Sequence, residues 1–197
     1  MENRINEHFQ KKQSPDFNLS LDDVGAKNAP PGAGLGPAKA AASVYRDRAG
    51  AYCNLRQFEQ AIADFTESLR LDPNQPVVYF QRGCCYMDLG QYEKGEADHR
   101  KAIELDPQQL VNYICECIRF NPGHPWGYQT RAWLYTEMKE YQKALADCDT
   151  AIRLDPTQAR TYNIRARVYH FLGDMNKAIA DYSEAIRLDK LAAGFKQ

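Results

Sequence analysis

Residues 45–73 read YRDRAGAYCNLRQFEQAIADFTESLRLDP, and the same skeleton returns three more times along the chain. Aligned on the Leu-Asp-Pro ending, the copies close at Pro73, Pro107 and Pro156, with Lys190 in the equivalent place of a fourth. The steps are 34, 49 and 34 residues, so the middle one is a full period plus 15. Each copy carries an aromatic (Tyr45, Tyr79, Tyr128, Tyr162), a small residue (Ala49, Gly83, Ala132, Ala166) and a tyrosine (Tyr52, Tyr86, Tyr135, Tyr169). A second small residue follows (Ala61, Gly95, Ala144, Ala178), then a third (Ser68, Ala102, Ala151, Ala185). A fixed period of this length marks a stacked repeat, in which one unit cannot bury its apolar stripe alone.

Each copy predicts two short helices. From Tyr45 to Leu55 the apolar and small residues fall at three- and four-residue steps, the spacing of one helical stripe. Leu89-Gly90 and Leu172-Gly173 mark the break, since glycine suits a helix end. The second helix, Ala61 to Leu71 in the first copy, stops before a proline that cannot continue it. Small residues on the facing stripes let the two backbones approach.

These residues resemble the tetratricopeptide repeat, with its aromatic–small–Tyr…Ala…aromatic…Pro pattern on a 34-residue period. The resemblance covers roughly three quarters of the chain. It implies an all-α solenoid of four helix pairs, a right-handed superhelix that binds other proteins, with the first helix of each pair lining a concave groove. The domain plan is then a tail and Pro/Gly linker over 1–40, repeats one and two over 41–107, an extra helix and joint over 108–124, repeats three and four over 125–190, and a short tail over 191–197.

Residues 1–40 lack the repeat, and Asn28 to Pro37 has linker composition. Two readings stay open: a mobile tail, or a tail folded back through Phe17 and Leu19. The second copy departs from the pattern with Gly95 for alanine and His99 for an aromatic. His99 reads as a core residue rather than a base, because no nucleophile or carboxylate constellation accompanies it. In the 15-residue insertion, apolar residues at 110, 111, 114, 117 and 118 predict an amphipathic helix over about 109–120. It looks like the second half of a repeat without its first half, and a kink is expected between Pro107 and Trp126. After the fourth copy only LAAGFKQ follows, so Ala178, Ala185 and Ile186 are expected at an uncapped edge, covered by the tail or by another chain.

Composition narrows the function classes. With 25 Lys+Arg against 26 Asp+Glu, the net charge of −1 gives no reason to expect nucleic acid or a membrane surface. No apolar run approaches a membrane span and the start is too polar for a secretory signal, so a cytoplasmic protein is expected. The six cysteines, at 53, 84, 85, 115, 117 and 148, include no C-x-x-C pair and make no metal spacing with the four histidines. They read as free thiols used as small core or groove residues. No phosphate loop, nucleophile–base pair or paired carboxylates stand outside the repeat, so no catalytic residue, cofactor or metal is expected.

Charge also repeats. Arg48, Arg82, Arg131 and Arg165 share one place in the first helix, and Asp64, Asp98, Asp147 and Asp181 share one in the second. They predict a ladder of structural ion pairs, within a copy or to the neighbouring one, because a feature every copy needs serves the repeat.

Binding is expected where the copies differ. By the resemblance, the groove residues are Arg46, Phe80, Gln81, Cys84, Met87, Trp126, Gln129, Trp133, Arg160, Asn163, Arg167 and His170. Trp126 and Trp133, the only tryptophans, lie seven residues apart and share a helix face. Trp126 has an alternative, packing against the extra helix. The carboxylate clamp of heat-shock co-chaperones is not supported, since the corresponding residues are Arg46 and Gly50, Gln81, then Trp126 and Thr130. The expected role is a non-enzymatic adaptor holding a peptide segment of a protein partner. The alternative is an assembly subunit that forms a homo-oligomer or complex through its uncapped C-terminal pair.

Overall fold

The computed structural model describes residues 36–194, and the readings of the N-terminal tail lie outside these residues. Among the described residues there are nine α-helices and no strand. The order is α1 (Pro37–Asn54), α2 (Phe58–Leu71), α3 (Pro76–Asp88), α4 (Tyr92–Leu105), α5 (Pro107–Phe120), α6 (Pro125–Glu137), α7 (Tyr141–Leu154), α8 (Ala159–Phe171) and α9 (Met175–Ala192). The protein is an all-α helical repeat fold. None of the described helices is long and apolar enough to cross a membrane.

The helix breaks have a common chemistry. The hinge residue of every pair, Arg56, Gly90, Lys139 or Gly173, has positive φ, from 57° to 80°. One residue on, the N–H of Gln57, Gln91, Glu140 or Asp174 donates to the carbonyl of Tyr52, Tyr86, Tyr135 or Tyr169 at 2.8–2.9 Å. This left-handed closure satisfies carbonyls that the helix end would otherwise leave bare. Glycine meets the φ requirement without cost, whereas Arg56 and Lys139 hold it under strain.

The second helices end at Asp72, Asp106 and Asp155, all extended in backbone, where the following proline forbids another turn. In the fourth copy Lys190 replaces that proline, and α9 runs on to Ala192. At Asp106 the chain restarts at once. Pro107 takes the first turn, where its missing N–H is harmless, and the Asp106 carboxylate accepts from the Gln109 N–H at 2.9 Å. The extra helix therefore begins two residues before the start expected from periodicity.

The chain divides into two compact units at Tyr113 and Ile114, within α5. In the first, α1 packs on α2, α2 on α3 and α3 on α4. Its core joins Ala49, Cys53, Ala61, Phe65, Leu69, Val78 and Cys85. The thiols of Cys53 and Cys85 lie 3.1 Å apart, and the bond with Cys53, with burial, pushes the Cys85 thiol up. In the second unit, α6 packs on α7, α7 on α8 and α8 on α9, around Ala132, Cys148 and Ile164. Burial pushes the Cys148 thiol up to about 12, a value that keeps it protonated and inert.

Helix α5 keeps the register of a second helix and carries that of a first helix as well. Tyr113, Cys117 and Phe120 follow Tyr79, Gly83 and Tyr86 by one period, the aromatic–small–aromatic marks of a first helix. In the first unit, the Tyr113 hydroxyl accepts from Gln81 Nε2 at 3.1 Å. In the second, Cys115 occupies the second-helix place of Asp149 and receives Arg131 Nη1 at 3.1 Å. One helix thus satisfies first-helix register toward the copy before it and second-helix register toward the copy after it. An insertion of 15 residues has room for one helix, not two.

Two of the three edge residues need correction, whereas Ile186 is exposed as expected. Ala178 and Ala185 are buried, because they face α8 as the equivalent alanines face their own partners. Ile179 and Ile186 are the exposed ones.

Candidate functional site

The four arginines close on the four aspartates in one geometry. Arg48 holds Asp64 through Nε and Nη2 at 2.6 and 2.8 Å, and Arg82 holds Asp98 at 2.7 and 2.8 Å. Arg131 holds Asp147 at 2.7 Å twice, and Arg165 holds Asp181 at 2.7 and 2.8 Å. The aspartates are buried at the seam, where an uncompensated charge would be costly, and the planar fork satisfies both oxygens. Tyrosines flank the inner guanidiniums, with Arg82 5.5 Å from Tyr79 and 5.8 Å from Tyr86. The third nitrogen reaches the preceding second helix, from Arg82 to Thr66 at 3.0 Å and from Arg165 to Asp149 at 2.7 Å. The bond to Asp147 holds Arg131 well above its ordinary value, so no accessible pH discharges it. This network ties helices together within and between copies.

Several residues assigned to the groove lie elsewhere. Phe80 is buried and stacks on His99 with ring centroids 4.9 Å apart. It therefore packs the core of its copy. Gln81 is buried with its amide on Tyr113, and Gln129 is buried with Nε2 on Thr161 Oγ1 at 2.7 Å. Both amides join successive first helices. His99 is buried, and its ring lies where a side chain on Gly83 would stand: a Cβ there would meet His99 Cδ2 at 2.5 Å. Met87 similarly fills the space before Gly95. Cys84 is half-buried, 3.7 Å from His99 Nε2, and Arg46 pairs with its neighbour Asp47.

The remaining candidates gather in the second unit. Trp126 and Trp133 are half-buried on α6, and Trp133 packs against the Ala132–Cys148–Ile164 core. One period on, Arg160 and Arg167 occupy the same repeat places on α8. Arg167 reaches across to Glu137 of α6 at 3.0 Å. Asn163, His170 and Phe171 are exposed on α8. The start of α6 is set by His124, whose Nδ1 accepts from the Trp126 N–H at 3.1 Å. Burial holds the His124 imidazole below its ordinary value, favouring the neutral acceptor. Exposed Phe171 stacks on Tyr141 at 5.7 Å. Sequence spacing alone does not reveal these joins between copies, because it carries no distance between helices a period apart. Among the described residues, no three His, Cys, Asp or Glu side chains cluster as metal ligands would.

Comparison with solved structures gives several similar chains. The chain is similar to MamA at 20% identity and TM-score 0.45, over 74% of this chain and 96% of that one. It is similar to YrrB, described as a TPR protein with an unusual peptide-binding site, at 17% identity and TM-score 0.43, over 76% and 88%. It is also similar to the second TPR of Spaghetti (RPAP3), solved with an HSP90 peptide, at 23% identity and TM-score 0.40, over 58% and 87%. Comparison with curated proteins gives no match. Models of the tetratricopeptide repeat match residues 42–75, 76–109, 125–158 and 159–190, leaving out most of α5. The chain belongs to the tetratricopeptide repeat family.

Proposed function

We propose that this repeat scaffold is a non-enzymatic adaptor that takes a peptide segment of a protein partner along α6 and α8 of the second unit. The observation that carries this reading is the pairing of equivalent places: two tryptophans on one helix and two arginines on the next. Half-buried aromatics with arginine beside them are the usual anchors of an interface. The matching ligand presents one or two large apolar residues followed by acidic ones. Its acidic end must compete with Glu137 for Arg167, which favours a segment carrying more than one carboxylate.

The test is a fluorescence titration of the full chain with short peptides in which Phe, Leu or Trp precedes an acidic run. Arg167→Glu is expected to weaken binding, more at low salt than at high, because a rim charge is screened. Trp133→Ala is expected to lower affinity about thirtyfold, the usual scale for a central anchor. Its melting curve is measured alongside, since Trp133 also touches the core. Equal binding by both folded variants would defeat the reading.

A further inference from the structure

We propose that a second copy of this chain docks head to tail, laying the Val44–Ala51 face of its α1 on the Ile179–Ile186 face of α9. The proposal is independent of the peptide-binding reading, which uses α6 and α8.

The chain contains its own template for this contact. Inside each unit, the second helix of one copy is covered by the first helix of the next, as α3 covers α2 and α8 covers α7. On the covering helix, Val78 and Thr161 are 1% and 0% exposed, whereas Val44, in the same repeat place on α1, is 67% exposed. Ala51 is likewise exposed where Cys85 and Val168 are buried. On the covered helix, Phe65 and Cys148 are fully buried, whereas Tyr182 in that place on α9 is only half-buried. Ile179 and Ile186 beside it are 65% and 57% exposed. Both halves of an interior joint are therefore present, one at each end of the repeat array.

The polar register matches as well. At interior joints the arginine's third nitrogen bonds the preceding helix at Thr66, Cys115 or Asp149. The equivalent place on α9 is Ser183. Its hydroxyl donates to the Ile179 carbonyl at 2.7 Å, as that of Thr66 donates to the Ile62 carbonyl, leaving the oxygen lone pair to accept. The equivalent donor is Arg48, whose Nη1 is not used on Asp64 and whose side chain is 57% exposed against 15%, 20% and 20% for the inner three. Arg48 of one copy would reach Ser183 of the next.

Helix lengths fit the same joint. Helix α1 begins at Pro37, ahead of Ala42, the place where α3, α6 and α8 begin. Helix α9 ends at Ala192, beyond Leu188, the place where α2, α4 and α7 end. In an antiparallel joint these two overruns lie side by side. Interior joints have no room for them, because there a short loop must connect the helices. A junction between separate chains needs no loop.

The contact is heterologous, so the two ends are blocked separately. Val44→Glu removes the α1 face and Ile186→Glu the α9 face; both places are exposed, and circular dichroism checks that the variants fold. Sedimentation of the full chain is followed from about 1 µM to about 1 mM. The wild type is expected to gain mass with concentration, and each variant alone to associate at least about tenfold more weakly. An equimolar mixture is expected to form a two-chain species, because each variant keeps the face the other lost. Ser183→Asp, which copies the Arg165–Asp149 contact, is expected to tighten association in a salt-sensitive way. A wild type that stays monomeric over this range overturns the proposal. So does association that Ile186→Glu abolishes and Val44→Glu leaves intact, which would indicate a tail-to-tail pair.

Discussion

Arg131 closes on Asp147 through two hydrogen bonds of 2.7 Å, and its remaining nitrogen reaches Cys115 at 3.1 Å. The carboxylate is buried while the guanidinium keeps 20% of its side-chain surface exposed, so the pair is screened from water mainly on the acid side. Removing the base strands the acid. Arg131→Ala is expected to cost about 2–4 kcal/mol, somewhat below the scale for a fully buried pair. Thermal melting checks this, with Arg48→Ala, at the open end of the ladder, expected to cost less. An unchanged Arg131→Ala melt would mean Asp147 is satisfied without the arginine.

Gly95 decides between two opposing effects. Alanine in a helix interior is favoured over glycine by about 1 kcal/mol. At this place, however, a Cβ would stand 2.9 Å from the Gly83 carbonyl oxygen and 2.6 Å from Met87 Cγ. The Met87 side chain can move, but the backbone oxygen moves only if α3 and α4 separate. Gly95→Ala is therefore expected to lower the melting temperature despite its better helix propensity. A variant that melts higher would show that the two helices part without loss.

His124 gives the second unit a pH response. Its imidazole caps α6 as a neutral acceptor, and burial keeps its folded value below the ordinary one of about 6.5. The unfolded chain therefore binds the proton more readily. Stability is full above the ordinary value and falls as pH drops through it toward the lower folded value. Urea unfolding from about pH 7.5 down to about pH 5 is expected to show that loss. In His124→Asn, which accepts at a cap without titrating, this component is expected to vanish. An identical pH slope in both proteins would place the response elsewhere.

The repeat was legible because its marks are local and recur. Tyr45, Ala49 and Tyr52 set a helical stripe by spacing, Gly90 and Gly173 place breaks by φ, and proline after Leu-Asp stops the second helix. The same recurrence put four arginines and four aspartates in register. These properties depend on residues a few places apart, or on a period counted along the chain, and a one-dimensional record carries both. What only the tertiary structure decided is which sides of those helices remain open. Phe80 and Gln81 share a helix with surface residues, yet they are buried by His99 and Tyr113, one in the next helix and one 32 residues along the chain. Ala178 and Ile186 lie on one terminal helix, and α8 covers only the first. Helix α5 reads as half a repeat until Gln81 and Arg131 show that it fills a different role toward each neighbouring copy. Burial depends on neighbours brought near by folding, and spacing along the chain does not contain that distance.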